Sequence, residues 1–199
     1  MSALQARLYK HNKKIEKKLK GWIFEHLQRL SPDDRRMRFF ITLSDDAIKG
    51  YLDKISESDE IFLTMDSIGG KIKVTGFLHV ASLDEDSSYE IGISVDEDQR
   101  KNGIASQLFD RAFMFLKAKG CKKLYINCLS TNTAMQKIVR RYKMEVRRDV
   151  DDPTTSTAFI EMNPKADFYS WLQGNNQDNI ALFNLAVQQL LPGKKNGTT

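Results

Sequence analysis

Residues 89–116 read YEIGISVDEDQRKNGIASQLFDRAFMFL, and this stretch decides the fold class. Apolar residues alternate with polar or small ones as far as Val95, which predicts a strand with one buried face. A loop containing Arg100 and Gly103 follows, and from Ile104 onward apolar residues recur at helical spacing. Because unpaired N–H groups converge where a helix begins, a basic, glycine-containing loop at that point is typical of an anion site. The segment therefore predicts a phosphate or pyrophosphate loop.

The residue spacing within this loop excludes two common kinds of phosphate site. It has neither the Gly-x-x-x-x-Gly-Lys-Ser/Thr pattern of a P-loop nor the three glycines of a dinucleotide fold. Residues 100–105 instead have the pattern Arg-x-x-Gly-x-Ala. This pattern resembles the loop with which the GNAT superfamily, the acetyl-CoA-dependent N-acetyltransferases, holds the pyrophosphate of CoA. The resemblance implies a pyrophosphate site made of Arg100, Lys101, Asn102, Gly103, Ile104 and Ala105.

Composition indicates one globular domain with an appendage. The chain has 199 residues, of which 41% are hydrophobic and 29% are charged, as is ordinary for a soluble protein. No apolar run has the length of a membrane span, and the N-terminus lacks the apolar segment of a signal peptide. The two cysteines, Cys121 and Cys128, have a spacing that suits neither a metal site nor a disulfide framework. We expect a cytoplasmic protein with neither a membrane segment nor a bound metal.

Positive charge is concentrated near the N-terminus. Residues 1–40 contain 11 of the 31 Lys and Arg residues but only 4 of the 26 Asp and Glu residues. Such a cluster can attract phosphate backbones or acidic protein surfaces, although a solvated helix face is the more common explanation. Its main members are Lys10, Lys13, Lys14, Lys17, Lys18, Lys20, Arg35, Arg36 and Arg38.

Patterns along the remaining chain predict alternating strands and helices. Alternation or glycine turns predict strands over residues 4–8, 60–65, 72–83, 124–129, 145–150 and 155–162. Helical spacing and Ser caps predict helices over 15–30, after Ser31 and after Ser44, and another is expected after residues 130–133. The resulting order predicts an α/β fold and resembles the GNAT fold, a mixed α+β sheet with helices on both faces.

Two further segments strengthen the resemblance to GNAT proteins. Residues 30–40, LSPDDRRMRFF, resemble the Leu-Ser-Pro-Glu-x-x-x-x-Arg-Phe-Phe stretch of one bacterial branch, and residues 132–135, NTAM, resemble its Asn-x-Ala-Met. In the family the Asn at this place hydrogen-bonds the pantetheine part of the cofactor, a role that the resemblance implies for Asn132. A helix N-cap is the alternative role for this residue, and the two roles can coexist.

Acetylation of an amine by direct attack sets three chemical requirements. An amine with a pKa near ~10 must lose a proton, the oxyanion must find a donor, and the thiolate must leave. In GNAT proteins the fourth strand separates from the fifth at a bulge, and a backbone N–H is left free for the thioester oxygen. The resemblance places Ile93, Ser94 and Val95 there, beside the cofactor, so one of their N–H groups is the expected oxyanion donor.

The candidates for proton transfer are less well determined. Glu90 stands where many relatives have a glutamate base, although an ion pair at the sheet edge is the alternative. His79 is a second candidate base, but a histidine between apolar residues is more often a core residue. The tyrosine that usually serves as the acid is Val139 here. Tyr142, one helical turn later, is either a substitute or, more commonly for such a position, a structural residue.

These observations predict three regions and one activity. Residues 1–163 form the GNAT domain, 164–192 a C-terminal helical extension, and 193–199 a disordered tail. The predicted activity transfers the acetyl group of acetyl-CoA directly to a primary amine. The basic N-terminal region favours a macromolecular acceptor, a protein amino group or an aminoacyl-tRNA. A small-molecule amine, a non-catalytic acyl-CoA-binding module and a homodimer formed through the C-terminal helices stay open.

Overall fold

The computed structural model describes residues 7–9, 17–83 and 87–162. The predicted C-terminal extension and tail and the lysines of residues 10–16 lie outside these ranges. In chain order the elements are β1 Arg7–Tyr9, α1 Lys17–Arg29, α2 Pro32–Phe39, α3 Asp45–Lys54, β2 Glu60–Ile68, β3 Lys71–Ser82, β4 Ser88–Val95, a 3-10 turn Glu97–Gln99, α4 Ile104–Lys119, β5 Lys123–Leu129, α5 Thr133–Arg141, β6 Glu145–Arg148 and β7 Thr155–Glu161. The predicted order of strands and helices is confirmed.

Seven strands form one mixed sheet in the order β1-β2-β3-β4-β5-β7-β6. All neighbouring strands are antiparallel except β4 and β5, which are parallel. Pairing of β4 with β5 stops at Glu90, opposite Tyr125, although both strands continue beyond this point. The strands therefore separate and leave a gap in the middle of the sheet.

The gap opens without the expected bulge in the ladder between β3 and β4. That ladder keeps one register from Gly76 opposite Val95 to Ser82 opposite Tyr89. In the neighbouring ladder the register shifts between Thr64, opposite Gly76, and Met65, opposite Val74, so the extra residue is Thr75 of β3. The separation is thus a divergence of two regular strands.

Helices cover both faces of the sheet, as its side-chain alternation requires. On one face Ile61, Leu63 and Phe77 pack against α1 and α3. On the other face Leu78, Val80 and Ile91 belong to the core that contains α4 and α5. Helix α2 contacts both β4 and β5, so it crosses the gap on the α1–α3 face.

Local sequence explains where several helices begin and end. Ser31 Oγ accepts the Asp34 N–H at 3.1 Å and Pro32 occupies the first turn, so α2 begins there. Ser44 Oγ caps α3 in the same way at 3.3 Å. Gly120 ends α4 with a φ of 85°, a conformation that favours glycine. None of the described helices is long and apolar enough to cross a membrane.

Candidate active site

Backbone N–H groups of β4 point into the gap between β4 and β5. The Asp96 N–H donates to the Thr75 carbonyl at 2.9 Å, so even-numbered residues of this strand bond to β3. By alternation the N–H groups of Ile93 and Val95 face the gap, beyond the last pairing with β5. The Ser94 N–H points towards β3. Of the three residues predicted as oxyanion donors, two therefore present an N–H to the gap.

The loop after β4 carries a run of N–H groups that have no acceptor among the described residues. Lys101 and Gly103 both have positive φ values, 63° and 77°. The N–H groups of residues 101–106 donate no hydrogen bond to any described residue, and the first bond at this end of α4 runs from Gln107 N–H to Gly103 carbonyl. These groups therefore fit a pyrophosphate, which needs several donors converging on it.

Arg100 of this loop is held by helix α2. Its guanidinium forms an ion pair with Asp34 at 2.5 Å. Burial raises the pKa of the Asp34 carboxyl, but the hydrogen bonds from Ser31 and Arg100 outweigh this effect and lower the pKa below its usual value. The helix that crosses the gap is thus tied to the phosphate loop.

Asn132 stands at the opposite side of the gap, at the end of β5. Its Oδ1 accepts the Met135 N–H at 3.1 Å, so the residue is the N-cap of α5. Its amide nitrogen makes no hydrogen bond within the described part of the chain. The cap therefore leaves donors available for the predicted pantetheine contact.

Glu90 is the last residue of β4 that pairs with β5. It lies opposite Ala81 on β3 and Tyr125 on β5, and it is half-buried. Because side chains alternate, Glu90 shares a face with Gly92 and Ser94, the face crossed by α2. Its carboxylate is therefore placed beside the opening of the gap.

His79 lies in a buried chain of polar side chains on the same face. Its Nδ1 is 2.8 Å from the Tyr51 hydroxyl, and its Nε2 is 3.2 Å from Asp59 Oδ2. The Asp59 carboxylate also accepts the N–H groups of Ser56 and Ser82 at 2.9 Å. Burial raises the pKa of Asp59, but His79 and the two N–H groups outweigh it and lower the pKa to about 2. Both ring nitrogens of His79 thus face protein groups, as in a core histidine.

Tyr142 packs against α4. Its hydroxyl donates a short hydrogen bond to Asp110, and its ring lies 4.6 Å from the rings of both Phe109 and Phe113. Burial and the Asp110 carboxylate both raise the pKa of this tyrosine. Val139, at the family's acid position, is buried in the core. This environment favours a packing role for Tyr142.

Two polar groups near the site were not singled out as site residues from the sequence. The first is His26, which bridges Ser94 Oγ at 2.9 Å and Asp96 Oδ1 at 2.7 Å. All three are buried, and Asp96 also binds Arg29 and Lys73 at 3.0 Å. These contacts anchor α1 to the end of β4.

The sequence does contain a signal for this histidine. His26 lies on the same helical stripe as Ile23 and Leu27, which predicts that its side chain is buried.

The second is Arg38, in the last turn of α2. Its guanidinium lies over Gly92, and its Nη2 donates to the Tyr51 hydroxyl at 3.0 Å. In the sequence this arginine belongs to the basic N-terminal cluster. The structure instead places it inside the site, on the face that carries Glu90.

Comparison with protein families identifies the chain. Residues 16–143 match the model of the acetyltransferase (GNAT) family. The chain belongs to the GNAT family. It is therefore an acetyl-CoA-dependent N-acetyltransferase. The N–H groups of residues 101–106 fit the pyrophosphate of this cofactor. Among the described residues no group of three or more His, Cys, Asp or Glu could hold a metal ion.

Solved structures share the GNAT fold at low sequence identity. A domain from Methanocaldococcus jannaschii is 14% identical with a TM-score of 0.62, covering 80% of this chain and 99% of that one. The GNAT domain of PAT from S. lividans is 15% identical with a TM-score of 0.59, covering 79% and 90%. An N-acetyltransferase from Staphylococcus aureus is 21% identical with a TM-score of 0.54, covering 80% and 99%. No curated protein matches.

Proposed function

We propose that this GNAT protein acetylates a primary amine by direct attack on acetyl-CoA bound between β4 and β5. The observation that supports this best is that the loop with unpaired N–H groups and the gap between β4 and β5 adjoin each other. The unpaired N–H groups of residues 101–106 lead directly to the gap, where β4 has lost its partner after Glu90. In this arrangement the loop holds the pyrophosphate, Asn132 contacts the pantetheine, and the thioester reaches the N–H of Ile93 or Val95.

Each step of the transfer has a proposed residue. Glu90 accepts a proton from the ammonium form of the amine, whose neutral nitrogen then attacks the thioester carbon and loses its second proton to solvent as the amide forms. The oxygen gains negative charge, which the N–H of Ile93 or Val95 stabilises at a fixed distance. The C–S bond then breaks, and the electrons leave on the CoA sulfur. Because Val139 is buried and Tyr142 is bound to Asp110, we assign protonation of the thiolate to solvent.

The test replaces the base and, separately, the phosphate loop. Glu90→Gln should lower kcat by about 10²–10⁴-fold, because a neutral amide cannot accept the proton. Gly103→Arg should instead abolish acetyl-CoA binding, since its side chain obstructs the loop. Calorimetry with acetyl-CoA and thiol release with a panel of amines measure the two effects independently. Unchanged turnover in Glu90→Gln would remove Glu90 as the base.

The same panel tests the predicted class of acceptor. A macromolecular acceptor rests on the basic N-terminal residues, of which Lys10, Lys13 and Lys14 lie outside the described ranges. Arg35 is engaged by the carbonyls of Leu43 and Gln28 and by Asp45 rather than by solvent. Lys17, Lys18 and Arg36 of the cluster are exposed, but Arg38 lies against the sheet on the face of Glu90, and we propose a small amine as the acceptor. If a protein or an aminoacyl-tRNA is acetylated faster than every small amine, the macromolecular prediction holds instead. If no amine releases thiol although acetyl-CoA binds, the protein is a binding module.

A further inference from the structure

The guanidinium of Arg38 is built into the sheet face beside the gap. An ideal Cβ on Gly92 would stand 2.2 Å from both Cζ and Nη1 of this arginine. Only a glycine at this position lets the guanidinium lie against the strand. The φ angle of Gly92 is not one that demands glycine, so the close approach accounts for the residue.

This cation has no counter-ion within the described residues. Arginine carries five N–H donors, and the only hydrogen bond that Arg38 makes to a described residue is from Nη2 to Tyr51. Its Nε is buried and has no partner among residues 7–9, 17–83 and 87–162, and no carboxylate of these ranges lies within 4.0 Å of its nitrogens. The rings of Phe39 and Tyr51, 4.8 Å and 5.8 Å from Cζ, supply cation–π contacts but no acceptor. A half-buried charge in this state is costly unless an anion binds it.

The neighbouring polar groups hold the arginine in place without neutralising it. Arginine can only donate, so the Tyr51 oxygen accepts from Nη2 and its hydrogen points to His79 Nδ1. The other nitrogen of His79 then faces Asp59. The carboxylate of Asp59 is thus two side chains away from Arg38. This chain fixes the guanidinium while most of its donors stay unused.

We propose that Arg38 binds a carboxylate of the acceptor, so that the substrate is an amine that carries a carboxylate. This inference rests on the proposed function, because it places the acceptor on the face of Glu90 and α2. Gly92 lies two residues beyond Glu90, about 7 Å along the strand. An amino acid or a short amino-carboxylate spans from the base to the guanidinium. Arginine is the residue best suited to such a planar anion.

The experiment compares acceptors that differ only in the carboxylate. α-, β- and γ-amino acids are each paired with their carboxamides, and kcat/KM is measured for every pair. The carboxylate member of the preferred pair should exceed its amide by at least about tenfold, as expected for a charge-assisted bond. Arg38→Gln should remove this preference, because kcat/KM of the carboxylate member falls by at least about tenfold more than that of the amide.

Further variants separate recognition from folding. Gly92→Ala displaces the guanidinium without deleting it and should reduce the same preference. Arg36→Gln, an exposed arginine of the same helix, should leave it unchanged. Circular dichroism verifies that each variant is folded.

Binding of the acceptors, measured directly, tests the carboxylate site at Arg38 even when no acceptor is turned over. The same pairs are titrated by calorimetry into the protein saturated with CoA. If acetyl-CoA binds and neither these pairs nor any amine of the wider panel is acetylated, the proposed function fails, yet tighter binding of a carboxylate member that Arg38→Gln abolishes still supports the carboxylate site. Equal binding and equal rates within every pair, or a preference that survives Arg38→Gln, would overturn it.

Discussion

At the scale of single residues, the ion pair between Arg100 and Asp34 opposes use of this arginine by the cofactor. A carboxylate 2.5 Å from the guanidinium also repels an incoming pyrophosphate. Asp34→Asn should therefore tighten acetyl-CoA binding by about threefold to tenfold, a typical effect of one partly exposed charge. Calorimetric titration of acetyl-CoA measures the change. Asp33→Asn, in the same helical turn but exposed, is the control. Weaker binding in Asp34→Asn alone would mean that Asp34 positions Arg100 for the phosphate.

The same scale shows which site residues a sequence can predict. The phosphate loop and Asn132 are predictable because their roles depend on backbone and neighbours within a few positions. Arg38 is not, since its environment is made by Gly92 and Tyr51, which approach it only in the folded chain. His79 was expected to be a core residue or a base. Its two polar partners, Tyr51 and Asp59, are distant in sequence and could not be predicted from its apolar neighbours.

At the scale of elements, helix α4 sits so close to β3 that a single methyl group should move it. A Cβ on Gly76 would meet Thr64 Oγ1 at 2.7 Å and Ile104 Cγ2 at 2.8 Å. Ile104 opens α4 directly after the phosphate loop. Gly76→Ala should therefore lower the unfolding free energy by about 1–3 kcal/mol, the usual cost of overpacking, and weaken acetyl-CoA binding.

The matched control is an exposed glycine in helix α1. Gly21 has nothing within 4 Å of an ideal Cβ, so Gly21→Ala should stabilise the protein by about 0.5–1 kcal/mol and leave binding unchanged. Urea unfolding and acetyl-CoA titration compare the two variants. If Gly76→Ala and the parent protein had equal unfolding free energies, α4 would be able to shift without a loss of stability.

The order of the elements was predictable, whereas their contacts at the site were not. Alternation and helical spacing depend on the solvent-facing and core-facing sides of each segment, and the sequence shows these directly. The end of pairing between β4 and β5 leaves no such mark, because both strands keep their alternation beyond Glu90. The expected bulge came from resemblance to other GNAT proteins, and this chain achieves the separation without one in the β3–β4 ladder.

At the scale of the whole molecule, carboxylates with a lowered pKa should make the unfolding free energy depend on pH. The pKa of Asp59 is lowered to about 2 in the folded protein, and the pKa values of Asp34 and Asp96 are also lowered by hydrogen bonds that outweigh burial. A lowered folded pKa means that the unfolded chain binds protons first. The stabilisation is therefore complete above the unfolded value near 3.8 and is lost as the pH falls towards 2.

Asp59 allows this dependence to be assigned to one group. Its shift corresponds to about 2 kcal/mol at neutral pH, so Asp59→Asn should lower the unfolding free energy by that order at pH 7. The difference from the parent protein should shrink as the pH falls from about 4 to about 2, because Asp59 of the unfolded parent takes up its proton first and the folded parent protonates only near its lowered pKa. Urea unfolding at several pH values measures it. Asp151→Asn, at an exposed position of the β6–β7 turn, is the control, and its unfolding free energy should depend on pH in the same way as that of the parent protein. A gap between Asp59→Asn and the parent that stayed constant with pH would show that Asp59 acts through shape rather than charge.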